Sequence, residues 1–248
     1  MRSRPRIVNP TGTRFRGARE GAKRPPRMAY APTDFTADGE PPPARPARPR
    51  DAATLLLWRR RASGALEVLM GVRSARHRFM PSKMVFPGGR VDPADRRAPV
   101  SAPMPEATRR ALERRASPAL AHGLAVAAAR ELREETGLSL GPDPSRPDLS
   151  PLMYLCRALT PTASPVRFNA RFLAAPAEAA TGVLGEGRTD ELEHLAFYDA
   201  AETPPHALAP ITAKVLDEFR AVMALPEAER ERRPMVWFQG RDTRKMER

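Results

Sequence analysis

The run Arg130-Glu131-Leu132-Arg133-Glu134-Glu135-Thr136-Gly137-Leu138 sets three carboxylates side by side where a helix ends. The Ala- and Leu-rich residues before it, 120–136, predict that helix, and Gly137 reads as its left-handed stop. Glu131, Glu134 and Glu135 then stand at i, i+3 and i+4 and project from one face. Like charges at that spacing repel, and the negative end of the helix dipole adds a second penalty, each about 0.3–1 kcal/mol. A cation is expected there. Clustered carboxylate oxygens suit a hard divalent ion, Mg²⁺ or Mn²⁺. The alternative is a solvated helix whose glutamates pair with Arg130 and Arg133.

A second segment favours the cation. A strand-like Met84-Val85-Phe86 runs into Pro87-Gly88-Gly89, a composition that predicts a tight turn and close backbone approach to a ligand. Together the two segments resemble the Nudix box, in which a glycine and an acid precede Arg-Glu-hydrophobic-x-Glu-Glu-x-Gly-hydrophobic. Residues 130–138 match every specified position of the second half. Asp95 takes the place of the first acid, with Asp for Glu. In the usual pattern the glycine precedes the arginine by about fourteen positions. Here Gly89 precedes Arg130 by 41, so the box carries an insertion, expected over about residues 96–118. Prolines 99, 103, 105 and 118 break it up, and residues 106–115 can form a short helix. Such a loop costs little closure entropy and is expected either as a lid or specificity element or as a tolerated extrusion.

The resemblance implies an α/β fold, a Nudix-type α/β/α sandwich with a mixed central sheet. It makes Glu134 and Glu135 metal ligands, Glu131 a ligand or the base that deprotonates water, and the Gly88 carbonyl a further ligand. Arg130 would orient the glutamates. A base outside the box is expected from Asp190, Glu191 or Glu193, with ordinary surface acids as the alternative. Ahead of the box, Arg73-Ser74, then Arg78, then Phe86-Pro87-Gly88-Gly89 resemble a motif of the coenzyme A diphosphatase branch. Two places depart from it: Ser82 stands where a glycine belongs, and Leu69-Met70-Gly71 replaces Leu-Leu-Thr. Arg73 and Arg78 are therefore candidates to grip substrate phosphates, since guanidinium groups bond phosphate oxygens in pairs.

The periodicity supplies the remaining elements. Leu55-Leu56-Leu57-Trp58 reads as a buried strand, and Gly64 turns it into a second strand with Leu66, Val68, Met70 and Val72 on one face. Residues 154–159 and 192–198 are further strands. In Arg167-Phe168-Asn169-Ala170-Arg171-Phe172 the apolar residues alternate toward the core, and the other face offers Arg167 and Arg171 as additional substrate-binding candidates. Pro210 opens a helix with an apolar stripe of Ile211, Val215, Phe219 and Val222.

Residues 1–50 hold 10 of the 29 prolines and 12 Lys/Arg against 4 Asp/Glu, most of the chain's net charge of +13. This basic arm is expected to be disordered. Residues 51–225 form the expected domain, and 226–248 a charged tail in which Met235-Val236-Trp237-Phe238 is either a packing segment or a partner contact. No stretch approaches the roughly 20 apolar residues of a membrane span. Cys156 is the single cysteine, which fits a reducing cytoplasm. The expected partner is a small nucleoside diphosphate derivative, with nucleic acid disfavoured, no membrane, and a homodimer implied by the resemblance alone. The implied activity is Mg²⁺- or Mn²⁺-dependent hydrolysis of a diphosphate linkage, foremost in coenzyme A or acyl-coenzyme A. The alternatives are ADP-ribose, NADH or another nucleoside diphosphate compound, or a silent Nudix domain that binds nucleotide or RNA.

Overall fold

A computed structural model describes residues 47–75, 81–187, 191–202, 204, 206–239 and 243–247. The basic arm up to residue 46, Arg78 and Asp190 lie outside them. The chain opens with β1 (Arg50–Arg60) and β2 (Leu66–Arg73), an antiparallel hairpin pairing Trp58 with Val68. Then come the short β3 (Met84–Val85) and β4 (Gly88–Arg90), a 3-10 turn at Ala94–Arg97, and helices α1 (Glu106–Glu113) and α2 (Pro118–Thr136). Next are β5 (Leu138–Leu140), β6 (Met153–Leu159), β7 (Phe168–Pro176), β8 (Ala180–Gly182) and β9 (Leu192–Asp199). The chain closes with α3 (Pro210–Met223), α4 (Glu227–Arg230), β10 (Met235–Gln239) and β11 (Thr243–Glu247).

The main sheet runs β11-β10-β6-β7-β1-β2-β3, with β4 also on β1 and β9 also on β2. It is mixed: β1 lies parallel to β7, pairing Leu55 with Leu173, and β10 lies parallel to β6, while β6 and β7 are antiparallel. Alternation along β1 sends its side chains to two separate cores. Ala53, Leu55 and Leu57 pack under the alanine-rich face of α2, and Leu56 packs with Val215, Phe219 and Val222 of α3. The two helices thus cover opposite faces, as the α/β/α expectation requires. Complete burial of Leu55, Leu56 and Leu57 contributes roughly 1.5–3 kcal/mol per side chain.

Three local features govern the site. Helix α2 starts where Ser117 accepts a hydrogen bond from the Leu120 N–H and Pro118 takes the first helical position, two residues before the expected start. It ends at Gly137 with φ 82°, a conformation a side chain would strain. The predicted glycine turn is instead strand: Gly88 and Gly89 pair with Thr54 and Ala53. These glycines serve close approach rather than a bend. A Cβ on Gly88 would lie 2.7 Å from the Ala53 carbonyl oxygen, and one on Gly89 would collide with the Glu131 carboxylate.

The stretch from Ala98 to Glu113 packs against the rest of the domain. Leu112 of α1 is buried in the α2 core, the Thr108 hydroxyl donates to the Leu152 carbonyl, and the His122 ring meets the Ala98 carbonyl at 2.9 Å. The C-terminal segment is also part of the body. The open question over Met235-Val236-Trp237-Phe238 resolves to a sheet strand, with Val236 and Phe238 in the α3 core. Among the described residues no helix is long and apolar enough to cross a membrane.

Candidate active site

The last two turns of α2 project their acids at β4. The Gly88 N–H donates to Oε2 of Glu135 at 2.9 Å, so the glycine strand and the acidic helix end meet across 47 positions of sequence. Glu135 is only 3% exposed, and its other oxygen, Oε1, is buried without a hydrogen-bond partner. Burial pushes its carboxyl up to about 8; the Gly88 N–H and Arg73 act against that rise, while the nearby charges of Glu131 and Glu191 add to it. Burial also raises Glu131, against the pull of Arg130 and with the repulsion of Glu134 and Glu191. These carboxylates feel one another, which is the sequence-level conflict expressed in three dimensions.

Arg130 gathers the cluster. One guanidinium nitrogen donates to Glu131 Oε1 at 2.8 Å and to Glu134 Oε2 at 3.0 Å. The other face grips Asp95 through two bonds of 3.0 and 3.1 Å and reaches the Arg90 carbonyl. Burial works against the charge of Arg130, yet Asp95 and Glu131 outweigh it and hold its proton more tightly than in free arginine. Asp95 is buried and also accepts the Asp92 N–H, so the first acid of the pattern is a fixed anchor for Arg130. Among the described residues no three acids, histidines or cysteines converge into a ready-made metal cage. Glu131 and Glu134 are instead drawn onto Arg130. The donor set nonetheless suits a hard cation: oxygen-only ligands, mutually repelling, beside an orphaned buried carboxylate oxygen.

Of the α2 acids Glu131 opens into a pocket of about 420 Å³ whose lining also includes Thr54, Arg73, Gly88, Gly89 and Glu191. Arg73 thus stands where the sequence reading expected a phosphate ligand, and its Nε is buried without a hydrogen-bond partner. Of the candidate outside bases, Glu191 lines the pocket, Glu193 is exposed on β9, and Asp190 falls outside the described residues.

Arg167 and Arg171 do not reach this pocket, which corrects their reading as substrate ligands. The pocket takes the opposite face of β7, with Phe168, Ala170 and Phe172. Arg171 is 1% exposed, paired with Asp51 at 2.6 Å and bonded to the carbonyls of Asn169 and Arg115. Arg167 donates to the carbonyls of Thr160 and Ala47. Both are structural braces. Phe238, Ile211 and Thr212 line the pocket, and sequence reasoning assigned none of them to it. An apolar residue on a strand carries the same local signal whether it faces a core or a ligand.

No family profile matches the sequence, and no curated protein matches it. Solved structures do. A Nudix hydrolase from Alicyclobacillus acidocaldarius is 26% identical over 74% of this chain and 95% of its own, with a TM-score of 0.51. The chain has the Nudix hydrolase fold. Also similar are a MutT Nudix hydrolase from Burkholderia pseudomallei (20% identity, 69% of this chain and 98% of that one, TM-score 0.44) and the Nudix domain of Shewanella oneidensis NrtR, solved with ADP ribose (14% identity, 79% and 100%, TM-score 0.47). On the Nudix fold Glu131 of α2 and the glycines of β4 line one pocket, with Glu135 bonded to Gly88 beside it, and the protein is a Nudix-type diphosphatase. A nucleoside diphosphate derivative is the class of substrate such an enzyme takes, and Nudix hydrolases generally need a divalent ion, typically Mg²⁺ or Mn²⁺.

Proposed function

We propose that the protein hydrolyses coenzyme A or acyl-coenzyme A to 3′,5′-ADP and 4′-phosphopantetheine, acylated or not, using Mg²⁺ or Mn²⁺ held by Glu131, Glu134, Glu135 and the Gly88 carbonyl. The observation that carries the metal site is the Gly88 bond to Glu135, which leaves a buried carboxylate oxygen unpartnered beside Glu131. When bound, the ion lowers the pKa of water and offsets charge on the phosphoryl oxygens. Arg130, anchored by Asp95, orients Glu131 and Glu134. Glu191, or Glu131 where it is not itself a ligand, takes the proton of the attacking water, whose oxygen bonds to phosphorus as the bridging oxygen leaves with the other phosphate.

Two observations support the coenzyme A reading. Arg73 reaches the pocket, where its guanidinium suits a phosphate. Ser82, standing where the coenzyme A motif has glycine, has φ 55°, the left-handed region that glycine enters freely, and its N–H bonds the Arg73 carbonyl. We further propose a homodimer, a cytoplasmic location and an insertion within the Nudix box over about residues 96–118, as the resemblance implies.

A panel of diphosphates with Mn²⁺ and product analysis tests the assignment. The expected products from coenzyme A are 3′,5′-ADP and 4′-phosphopantetheine, with Glu134→Gln lowering kcat roughly 100-fold at unchanged folding. Far better cleavage of ADP-ribose or NADH would sink the substrate while leaving the reaction. Salt-sensitive RNA binding that survives a Glu134→Gln, Glu135→Gln double variant, without turnover, would point to a binding module.

A further inference from the structure

Successive residues of β4 face opposite sides of the sheet. Gly89 pairs with Ala53 of the α2 core, and a Cβ on it would collide with the Glu131 carboxylate. Gly88 and Arg90 pair with Thr54 and Ala52, which both line the pocket. The exposed Arg90 side chain therefore rises on the pocket side, one strand repeat beyond Gly88. Its backbone is held from behind, where the Arg90 carbonyl accepts from Arg130 at 2.9 Å. Among the described residues no group bonds or pairs with the Arg90 guanidinium. Its neighbours across the sheet, Ala52 and then Ala170, end in methyl groups and offer it no acceptor.

The other cation of the lining, Arg73, stands on the opposite flank of Gly88. Its N–H bonds the carbonyl of Lys83, which precedes Gly88 in the chain, whereas Arg90 follows Gly88 by two residues, about 7 Å of extended strand. The Glu135 carboxyl feels the charge of Arg73, so Arg73 is the cation beside the Gly88–Glu135 contact. The acids of the lining are placed elsewhere. Glu131 is held by Arg130 at 2.8 Å, Asp92 lies 3.9 Å from the same guanidinium, and Glu191 sits against β2, where its carbonyl accepts the Ser74 N–H.

Two guanidinium groups thus flank the glycine strand, and only Arg73 adjoins the acids that would hold the ion. A diphosphate is one compact group, and it belongs at that end. An anion at Arg90 has to be carried some way off on the same substrate. A phosphate ester on the ribose meets that need, because the sugar carbons separate it from the diphosphate and its free oxygens match the guanidinium fork. Resting on the diphosphatase reading above, we propose that Arg90 binds a phosphate ester on the substrate's ribose and selects nucleotides that carry one. Coenzyme A carries such a group at the 3′ position and NADPH at the 2′ position.

The test is kcat/KM with Mn²⁺ on the full chain for two pairs that differ by this one phosphate: coenzyme A against dephospho-coenzyme A, and NADPH against NADH. Wild type is expected to favour the phosphorylated member of one pair roughly 10-fold or more, and that pair names the source. Arg90→Gln brings the ratio to within about twofold of unity, whatever the absolute rates. Arg73→Ala acts on the diphosphate common to both members, so it lowers both and keeps the ratio. A preference confined to NADPH and lost in Arg90→Gln supports the Arg90 site while moving the substrate away from coenzyme A. Equal turnover within both pairs, a preference that survives Arg90→Gln, or one lost equally in Arg73→Ala overturns the site and leaves the diphosphatase reading standing. Absence of turnover on any diphosphate overturns that reading instead, and calorimetry in chelator with 3′,5′-ADP and 2′,5′-ADP against 5′-AMP then decides Arg90. Tighter binding of a bisphosphate that Arg90→Gln abolishes supports the site, and equal binding overturns it.

Discussion

The Gly88 N–H and the Glu135 carboxylate meet at 2.9 Å across 47 positions of sequence. The bond satisfies one oxygen of a buried acid and leaves the other without a partner. Removing that charge relieves a burial cost. Glu135→Gln is expected to hold or raise the melting temperature in chelator and to abolish the rise that Mn²⁺ gives wild type, about 2.7 kcal/mol at one hundred times Kd. Thermal unfolding with and without Mn²⁺ measures both, and a variant still stabilised by Mn²⁺ would remove Glu135 from the ligand set.

Asp95 holds Arg130 with two hydrogen bonds from a buried position. Asp95→Asn breaks the ion pair while keeping the shape. It is expected to cost about 3 kcal/mol in urea unfolding and to lower kcat, because Arg130 loses the anchor from which it orients Glu131 and Glu134. Normal turnover in a destabilised variant would make Asp95 a purely structural group.

Arg73 lines the pocket, and its charge is felt by the Glu135 carboxyl. Arg73→Ala should raise KM for coenzyme A roughly tenfold with kcat little changed, the pattern of a phosphate grip remote from the scissile bond. Steady-state kinetics decide it, and an unaltered KM excludes the residue.

Arg171 is buried against Asp51 and the Arg115 carbonyl just after α1. Arg171→Met is expected to lower stability by about 2 kcal/mol in urea unfolding, discounted because Asp51 is partly exposed, with KM unchanged. A raised KM at full stability would return the residue to substrate binding.

What the sequence determined by itself is local. The acids at 131, 134 and 135 share a face because helical geometry spans only a few residues, and Gly137 ends the helix at φ 82° because few other residues enter that region freely. Strand alternation placed Phe168, Ala170 and Phe172 on one face of β7 for the same reason. What lies beyond a strand is not a local property. Alternation alone could not say that this face meets a pocket and that Arg167 and Arg171 turn to braces, since both faces of an inner strand are covered. Nor could it show that Gly88 and Gly89 need space rather than a bend, because Ala53 and Glu131, which occupy that space, come from distant segments. The pairing of β10 with β6, which turns an apparent tail into the end wall of the pocket, rests on the register of chain segments some 80 residues apart. Only tertiary packing sets that register, because hydrogen bonds between strands form wherever the buried faces best coincide.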